Sequence, residues 1–319
     1  MNNPLVSVCM ITYNHEDFIK EAIQGVLKQK VSFDIEFVIA NDASSDNTNS
    51  IIEEIIDSNQ VVNFKYFNHA TNKGMAENFL FALGACSGKY IALCEGDDFW
   101  TDPLKLQKQV DFLEANPDYE MCFTNINIIN SVGEITTEKL ITEAKRTTFL
   151  HKDMPTWSPT LTRVLRNRNF AILKQNAPGM DALMLVYQST LGKIKFIDEV
   201  TGTYRVHAGG VYTSIGNPRK KEHNIQTFLA CLQLVQKELL PKFVGMILKL
   251  LLELKRTDKD LFIKNKIRFL NDKEYFKELD AKERFKIAFC TFLVTVPLIE
   301  KTVFTLNFTK KIINKLLVY

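Results

Sequence analysis

Three carboxylates follow an apolar segment closely in the sequence. The run 90–94 (YIALC) has the character of a buried strand, and Glu95, Asp97 and Asp98 come directly after it. Like charges this close repel one another unless a cation or protons intervene. Mg²⁺ and Mn²⁺ prefer carboxylate oxygens and leave coordination positions for phosphate oxygens. The spacing therefore indicates a site for a divalent cation and a diphosphate. The simpler alternative is a solvated acidic turn that caps the next helix.

A further acidic position follows another apolar segment. Asp42 comes after the run 35–40 (IEFVIA), where a carboxylate can accept the imide N–H of a uracil base. The alternative is helix capping, although Ser45 and its neighbours supply capping groups without Asp42. Tyr13 follows the first apolar run, and its ring could stack on a base or simply pack against the protein. These positions point to a nucleotide as the ligand that carries the diphosphate.

The elements that must hold these side chains alternate between strand and helix signals. Apolar runs rich in β-branched residues occupy 5–11, 35–40, 61–67 and 89–94. A helical period follows each run, and Pro103 is expected in the first turn of the fourth helix. This order predicts an α/β chain with a parallel, doubly wound sheet, whose ligands bind beyond the carboxyl ends of the strands. The loops expected at the site are 12–17, 41–48 and 95–102.

Four motifs occur in an order that resembles the family 2 glycosyltransferases of GT-A fold. They are 6–14 (VSVCMITYN), 41–48 (NDASSDNT), 72–78 (NKGMAEN) and 88–100 (GKYIALCEGDDFW). The resemblance is strong over residues 5–115 and continues more weakly to about 215. It implies a Rossmann-type, mostly parallel sheet flanked by helices, with a C-terminal helical tail. It also implies transfer of a sugar from a nucleotide-diphosphate donor, with UDP as the expected nucleotide.

The resemblance gives the matching residues roles. Tyr13 matches the aromatic residue that lies on the uracil, and Asp42 matches the acid that holds the base. Glu95 and Asp97 stand where the family carries Asp-x-Asp, whose first acid faces the ribose or sugar and whose last acid binds the metal. The nucleotide-sugar site is expected to contain Thr12, Tyr13, Asp42, Lys73, Glu95, Asp97 and Arg205. The expected metal ligands are Asp97, Asp98 and His207, with Mn²⁺ or Mg²⁺ as the cofactor.

Arg205 and His207 belong to a segment that resembles the family's Tyr-Arg-x-His, which closes the donor site. A guanidinium group is well suited to a diphosphate, and His207 could reach the metal from the far side. The alternative for a single histidine is an ordinary hydrogen bond. The remaining histidines have no comparable context and receive no role: His15, His69, His151 and His223.

The general base is expected at Asp181, in the segment 177–185 (APGMDALML). Family members often carry an Asp there, after another acid and at the start of a helix below the acceptor. Met180 replaces that preceding acid, Asn41 stands where an Asp is common, and Glu95 replaces the first acid of the metal motif. A base must reach the acceptor hydroxyl and have a suitable pKa. The alternative is that Asp181 is a plain N-cap residue.

The reaction implied by the resemblance is a single displacement that inverts the anomeric centre, with a glycan or lipid-linked oligosaccharide as acceptor. Two other functions remain open at this stage. A nucleotidyltransferase also uses a parallel sheet and acidic metal sites, but no basic Gly-rich loop follows the run 5–11. The second alternative function is that of a nucleotide-sugar-binding protein with decayed catalysis. A dehydrogenase is excluded because the first strand precedes no GxGxxG.

Charge is distributed unevenly along the chain. Its net charge is only +3, which argues against nucleic acid as a partner, yet residues 219–319 hold 21 Lys and Arg against 11 Asp and Glu. The domains are predicted as a catalytic part, 1–218, with nucleotide and acceptor portions at about 1–115 and 116–218, and a basic helical region, 219–319. That region is expected to touch an anionic membrane surface. The alternative is that its helices pack on the catalytic part or on a second subunit.

The expected location is cytoplasmic, at the inner face of the cell membrane where the tail binds lipid. No basic segment precedes the first apolar run, and no run reaches the length of a membrane span. Six cysteines are scattered without a CxxC pair, which favours free thiols over a zinc site.

Overall fold

The structure is a computed structural model that describes residues 4–59, 61–173, 177–210, 214–271, 277, 279–295 and 303–317. Its contacts divide the chain into two compact units. The first consists of Met1–Leu150, Thr156–Asn176 and Leu191–Gly210, and the second of His151–Pro155, Ala177–Thr190 and Val211–Tyr319. The chain therefore passes between the units more than once. The domain limits 1–218 and 219–319 stay a prediction beside this division.

In the described residues, ten strands form one mixed sheet in the first unit. They are β1 (Val6–Thr12), β2 (Ile35–Asn41), β3 (Asn63–Asn68), β4 (Tyr90–Leu93), β5 (Phe99–Trp100), β6 (Tyr119–Ile129), β7 (Ile135–Thr137), β8 (Thr148–Phe149), β9 (Val164–Arg166) and β10 (Lys193–Arg205). Their order is β3-β2-β1-β4-β9-β6-β10-β5, with β7 beside β6 and β8 beside β10. β3, β2, β1 and β4 are mutually parallel, as are β6 and β10, whereas the short β5, β7, β8 and β9 are antiparallel to their neighbours. The predicted α/β fold with a mostly parallel sheet is confirmed.

Helices flank the sheet and make up most of the second unit. The first unit contains α1 (Ile19–Leu27), α2 (Thr48–Ser58), α3 (Met75–Ala85) and α4 (Lys105–Ala115). They are followed by α5 (Met180–Leu191), α6 (Asn217–Cys231), α7 (Leu240–Thr257), α8 (Lys259–Asn271), α9 (Ala281–Thr295) and α10 (Val303–Leu317). The predicted C-terminal helices are thus present. Within the described ranges, every helix is too short or too polar to cross a membrane.

The central strands are apolar throughout because helices cover the sheet. Val6, Val8 and Met10 of β1 are fully buried, and α1 buries Ile19 and Ile23 at helical spacing. These patterns explain why the first strands and helices were predictable. The start of α4 differs from the prediction. Pro103 is expected in the first turn of the helix, but it lies in a turn two residues before the helix begins. There the Asp102 carboxylate accepts the backbone N–H of Leu104 at 2.8 Å.

Lys105, the first residue of α4, has its ammonium group buried in apolar surroundings. Its side chain is fully buried and Nζ lies 4.1 Å from the ring centroid of Trp100, a cation–π contact. Burial lowers the pKa of Lys105 to about 7. The unfolded chain, with a pKa near its ordinary value of 10.5, binds the proton more readily than the folded chain. Stability is therefore lost as pH falls from about 10.5 to about 7, and the loss is complete below that pH.

We expect Lys105→Met to raise the free energy of unfolding near pH 7. The gain should be roughly 1–4 kcal/mol, the range found when buried charged groups give way to apolar ones. It should shrink toward pH 10, where the native lysine is neutral in the folded chain. Urea unfolding at pH 6.5 and pH 10 measures both effects, with the exposed Lys20→Met as control. An unchanged or lowered stability at pH 6.5 contradicts the expectation.

Candidate active site

Asp97 lies where two histidines from distant parts of the chain converge. The strands β1, β4 and β10 run in one direction, so the residues that follow them meet at one edge of the sheet. Oδ2 of Asp97 is 3.1 Å from Nε2 of His207 and 3.8 Å from Nε2 of His15. Ligand atoms of the three residues all lie within 4.8 Å of one another. Within the described part of the chain, no other trio of His, Cys, Asp or Glu has this spacing.

The protonation of this cluster suits a divalent cation. Burial lowers the pKa of His15 more than the nearby Asp97 raises it, so the imidazole is neutral near pH 7. Burial raises the pKa of Asp97, but two effects outweigh burial and hold that pKa below its ordinary value: the hydrogen bond with His207, and the charge that His15 gains when it is protonated at low pH. A neutral imidazole and an ionised carboxylate are the forms that ligate metal. The residues present therefore fit a metal ion.

Asp98 is held apart from this cluster. It is 3% exposed, and its Oδ1 accepts the backbone N–H of Arg205 at 2.8 Å. Burial, together with the charges of Asp97 and Glu95, raises the pKa of Asp98 well above its ordinary value. Asp98 thus ties the loop 95–98 to β10, and it is not a member of the trio of His15, Asp97 and His207. Its role as a metal ligand stays a prediction.

The guanidinium of Arg205 is enclosed by protein. Nη2 donates to Oε2 of Glu21 at 2.6 Å, and Nε donates to the carbonyl oxygen of Asp97 at 3.2 Å. The group also lies 4.8 Å from the ring centroid of Phe18 and 5.5 Å from that of Phe99. Arg205 is only 7% exposed. In this arrangement it positions the Asp97 loop, whereas the sequence predicts direct neutralisation of a diphosphate.

Asp42 organises the loop that contains Lys73. Its two carboxylate oxygens accept the backbone N–H groups of Lys73 at 2.7 Å and Gly74 at 2.9 Å. Gly74 has a φ of 84°, a conformation that glycine adopts without strain. Asn72 also donates to the carbonyl oxygen of Asp42 at 3.1 Å. Asp42 therefore has a structural role, and its contact with a base stays a prediction. The Lys73 side chain is exposed.

Thr12 is the last residue of β1, and Tyr13 follows it in the loop. Oγ1 of Thr12 lies 3.1 Å from Nδ1 of His15, so Thr12 contacts the cluster through the imidazole. Tyr13 is 45% exposed, which leaves its ring accessible to a base. The loop after β1 is joined to the loop after β2 by hydrogen bonds such as Asn14 N–H to Ser44 Oγ at 2.9 Å. The loops expected at the site after β1 and β2 are therefore neighbours.

Asp181 lies in the second unit, in the first turn of α5. Because the helix begins at Met180, Asp181 is its second residue and does not occupy the N-cap position. Burial and then the charge of Asp181 raise the pKa of Cys231 to about 12, so the two side chains interact within that unit. The role of Asp181 as general base stays a prediction.

Sequence reasoning missed two residues of this site. His15 received no role because it is a single histidine in a polar loop, 82 residues before Asp97. Glu21 resembled any exposed acid of an amphipathic helix, yet it pairs with Arg205. The one available signal for His15 was its place directly after the first buried strand, in a loop expected at the site.

A mostly parallel sheet flanked by helices, with polar loops at the carboxyl ends of its strands, is the arrangement of the GT-A fold. The family model for glycosyl transferase family 2 matches residues 7–179, and the chain belongs to this family. An uncharacterized protein of Mycobacterium tuberculosis is 34% identical over 220 residues, covering 68% of this chain and 63% of the relative. The chain thus spans less than two thirds of the length of its mycobacterial relatives. Escherichia coli WfgD is 34% identical over 148 residues, covering 46% of this chain and 56% of WfgD.

Solved structures share the fold at low identity. Staphylococcus aureus TarS, residues 1–349 with UDP-GlcNAc, has a TM-score of 0.62 at 17% identity, covering 96% of this chain and 90% of that chain. The mannosyltransferase PcManGT from Pyrobaculum calidifontis, with GDP-Man and Mn²⁺, has a TM-score of 0.54 at 14% identity, covering 100% and 86%. At these identities the likeness concerns the fold alone.

Proposed function

We propose that this family 2 glycosyltransferase moves a sugar from a nucleotide-diphosphate donor onto a hydroxyl of a glycan or lipid-linked acceptor. The observation that carries the proposal is the trio of His15, Asp97 and His207 at the carboxyl edge of the sheet. A divalent cation bound there supplies positive charge to the departing diphosphate. The same edge carries Asp42 and the exposed Tyr13, which suit a nucleotide base.

The donor we propose is a UDP-sugar. Asp42 and Tyr13 are the residues we assign to the uracil. The name of Escherichia coli WfgD gives UDP-Glc as its donor, and the TarS structure contains UDP-GlcNAc. The structure of PcManGT contains GDP-Man, so the fold also accepts a guanine nucleotide. The choice of UDP rests on Asp42 and Tyr13, which we assign to the base, and on the donors of WfgD and TarS.

The chemistry we assign to the protein is proton transfer and positioning. Asp181 takes the proton of the acceptor hydroxyl, which then attacks the anomeric carbon on the face opposite the diphosphate and inverts that centre. Glu95 faces the ribose or sugar. Arg205 and Asp98 hold the loop of Asp97, since each joins that loop to β10 or α1. This pre-organisation keeps the charged groups fixed while charge develops.

A donor screen tests the proposed function. UDP-, GDP- and dTDP-sugars are incubated with the full chain and Mn²⁺, and release of the nucleoside diphosphate is measured with and without EDTA. We expect UDP to be released from UDP-sugars, and we expect EDTA to abolish this release. Binding of UDP-sugar by calorimetry without any release, even with diphosphoundecaprenol-linked acceptors, would favour a binding protein with decayed catalysis.

For the acceptor we propose a lipid-linked glycan of surface polysaccharide synthesis, reached at an anionic membrane. WfgD is named for a GlcNAc-diphosphoundecaprenol acceptor. Helix α9 supports membrane contact because Phe285, Phe289 and Phe292 recur on one face and are 72%, 40% and 59% exposed. Lys282 precedes them by one turn on that face. A similar exposed row on α8 consists of Ile263, Ile267 and Leu270. Aromatic side chains flanked by lysine are typical of interfacial helices.

We expect the full chain to float with anionic vesicles at low salt and to bind them less at high salt. Replacing Phe285, Phe289 and Phe292 together with Ser should weaken vesicle binding by at least ~10-fold, since apolar burial drives insertion. The control replaces Val132 and Ile135, which are 76% and 59% exposed in the first unit. If the unaltered chain stays at the bottom of the gradient with anionic vesicles, the membrane proposal is wrong.

A further inference from the structure

His15 approaches the proposed metal site from the loop after β1. Its Nε2 is 3.8 Å from Oδ2 of Asp97, and its ring centroid is 6.0 Å from that of His207 in an edge-to-face arrangement. We infer that His15 is a third protein ligand of the cation held by Asp97 and His207, and that this donor set selects Mn²⁺ over Mg²⁺. The inference rests on the proposed function, from which the cation follows.

The spacing of the trio is close to that of a coordination sphere. Ligand atoms about 2.1 Å from one cation lie at most about 4.2 Å apart. The ligand atoms here lie within 4.8 Å of one another, which is close to that limit. Oδ2 of Asp97 is already within it, at 3.8 Å from Nε2 of His15 and 3.1 Å from Nε2 of His207.

The backbone of His15 is fixed so that Nε2 points at Asp97. Its N–H donates to Oγ1 of Thr48 at 2.8 Å, and its carbonyl oxygen accepts the N–H groups of Phe18 and Ile19 at 2.9 and 2.8 Å. Oγ1 of Thr12 lies 3.1 Å from Nδ1. Metal-bound histidines commonly hydrogen-bond through the other ring nitrogen, which fixes the ring and its tautomer. Thr12 occupies the position of such a partner.

Gly96 explains how the acidic loop comes so close to His15. A Cβ at Gly96 would lie 2.7 Å from Oγ1 of Thr12 and 3.1 Å from Nδ1 of His15. Any larger residue between Glu95 and Asp97 would push the loop away from this pair. The glycine between the two acids is therefore required by the contact with His15 and Thr12.

The chemical character of the trio favours a transition metal. Mg²⁺ binds oxygen ligands in a strict octahedron and is seldom held by imidazole. Imidazole nitrogens suit transition-metal ions, and affinity rises from Mn²⁺ to Co²⁺. Two imidazoles and one carboxylate should thus bind Mn²⁺ and Co²⁺ more tightly than Mg²⁺. Without His15, the site would have one nitrogen ligand fewer and a weaker preference for Mn²⁺ over Mg²⁺.

Metal binding to the full chain without nucleotide tests this inference. Free Mn²⁺ is measured by electron paramagnetic resonance during the titration. The affinity for Mg²⁺ is measured by its competition with bound Mn²⁺. We expect His15→Asn, which keeps a polar group near Thr12 but removes Nε2, to weaken Mn²⁺ binding by at least ~10-fold. His15→Gln, which offers an amide oxygen near the position of Nε2, should lower the ratio of Mn²⁺ to Mg²⁺ affinity. The control is His69→Asn, at a histidine that contacts Asn78 outside the trio.

The outcomes separate this inference from the proposed function. A folded His15→Asn protein that binds Mn²⁺ within twofold of the native chain overturns the role of His15, even where sugar transfer is detected. Weak Mn²⁺ binding by the native chain in this titration overturns it too. If Mn²⁺ binding depends on His15 but no donor is turned over, the ligand assignment stands and the transferase proposal fails.

Discussion

Replacing Asp97 with Asn is expected to lower turnover about 10³-fold or more and to abolish its stimulation by Mn²⁺. The carboxylate is the anionic member of the trio with His15 and His207, and an amide is a poor substitute for a charged metal ligand. A loss of charge stabilisation at a departing group commonly costs this much in rate. UDP release and Mn²⁺ titration measure the two effects.

The fold should survive this change. Removing the charge of Asp97 relieves its repulsion of Asp98, but it also removes an ionised carboxylate that the folded chain holds at a lowered pKa. We expect a small fall in the unfolding temperature and a protein that still folds. The control is Asp17→Asn, an exposed carboxylate in the loop after β1. Native turnover in the Asp97→Asn protein would remove Asp97 from the proposed site.

Asp181→Asn is expected to lower turnover by about 10²–10⁴ while UDP affinity stays within about twofold. Asparagine keeps the size and hydrogen-bonding shape of the side chain but cannot take a proton, so the chemical step alone should suffer. Calorimetry with UDP and single-turnover transfer to the acceptor separate binding from chemistry.

A closely matched control exists for Asp181. Asp260 is the second residue of α8, as Asp181 is of α5, so both carboxylates interact with a helix N-terminus in the same way. Asp260→Asn should change stability by a similar small amount and leave turnover unaltered. Equal turnover in the two variants would make Asp181 a helix-stabilising residue and would leave the base to be found elsewhere.

Much of the first unit could be predicted from the sequence for a simple physical reason. β1, β2 and β4 are buried on both faces, so each is a continuous apolar run, and the polar loops after them must meet at one edge. That argument finds the loops of Tyr13, Asp42 and Asp97. The antiparallel β9 could not be predicted in the same way, because its three residues pair with β4 and β6 only through distant contacts.

The details of the site depend on contacts that no local pattern contains. The acids Asp97 and Asp98 look alike in sequence, yet one faces two histidines while the other accepts a backbone N–H of β10. The difference arises because successive side chains leave a chain in different directions. Likewise, Arg205 points to Glu21, a residue 184 positions earlier, because β10 ends beside α1.

The division of the chain into interwoven units has a consequence for its synthesis on the ribosome. Helix α5 buries Leu183, Met184 and Leu185 in the second unit, where Thr227 of α6 accepts the N–H of Gly179 at 3.0 Å. About 40 more residues must be added after α5 before α6 is complete, which takes about 2–8 seconds at ordinary elongation rates. During that interval the N–H of Gly179 lacks the Thr227 hydroxyl, and the interaction of Asp181 with Cys231 cannot form. A chaperone that binds apolar segments could act on α5 during that interval, and a chain whose synthesis stops before α6 would never form these two contacts.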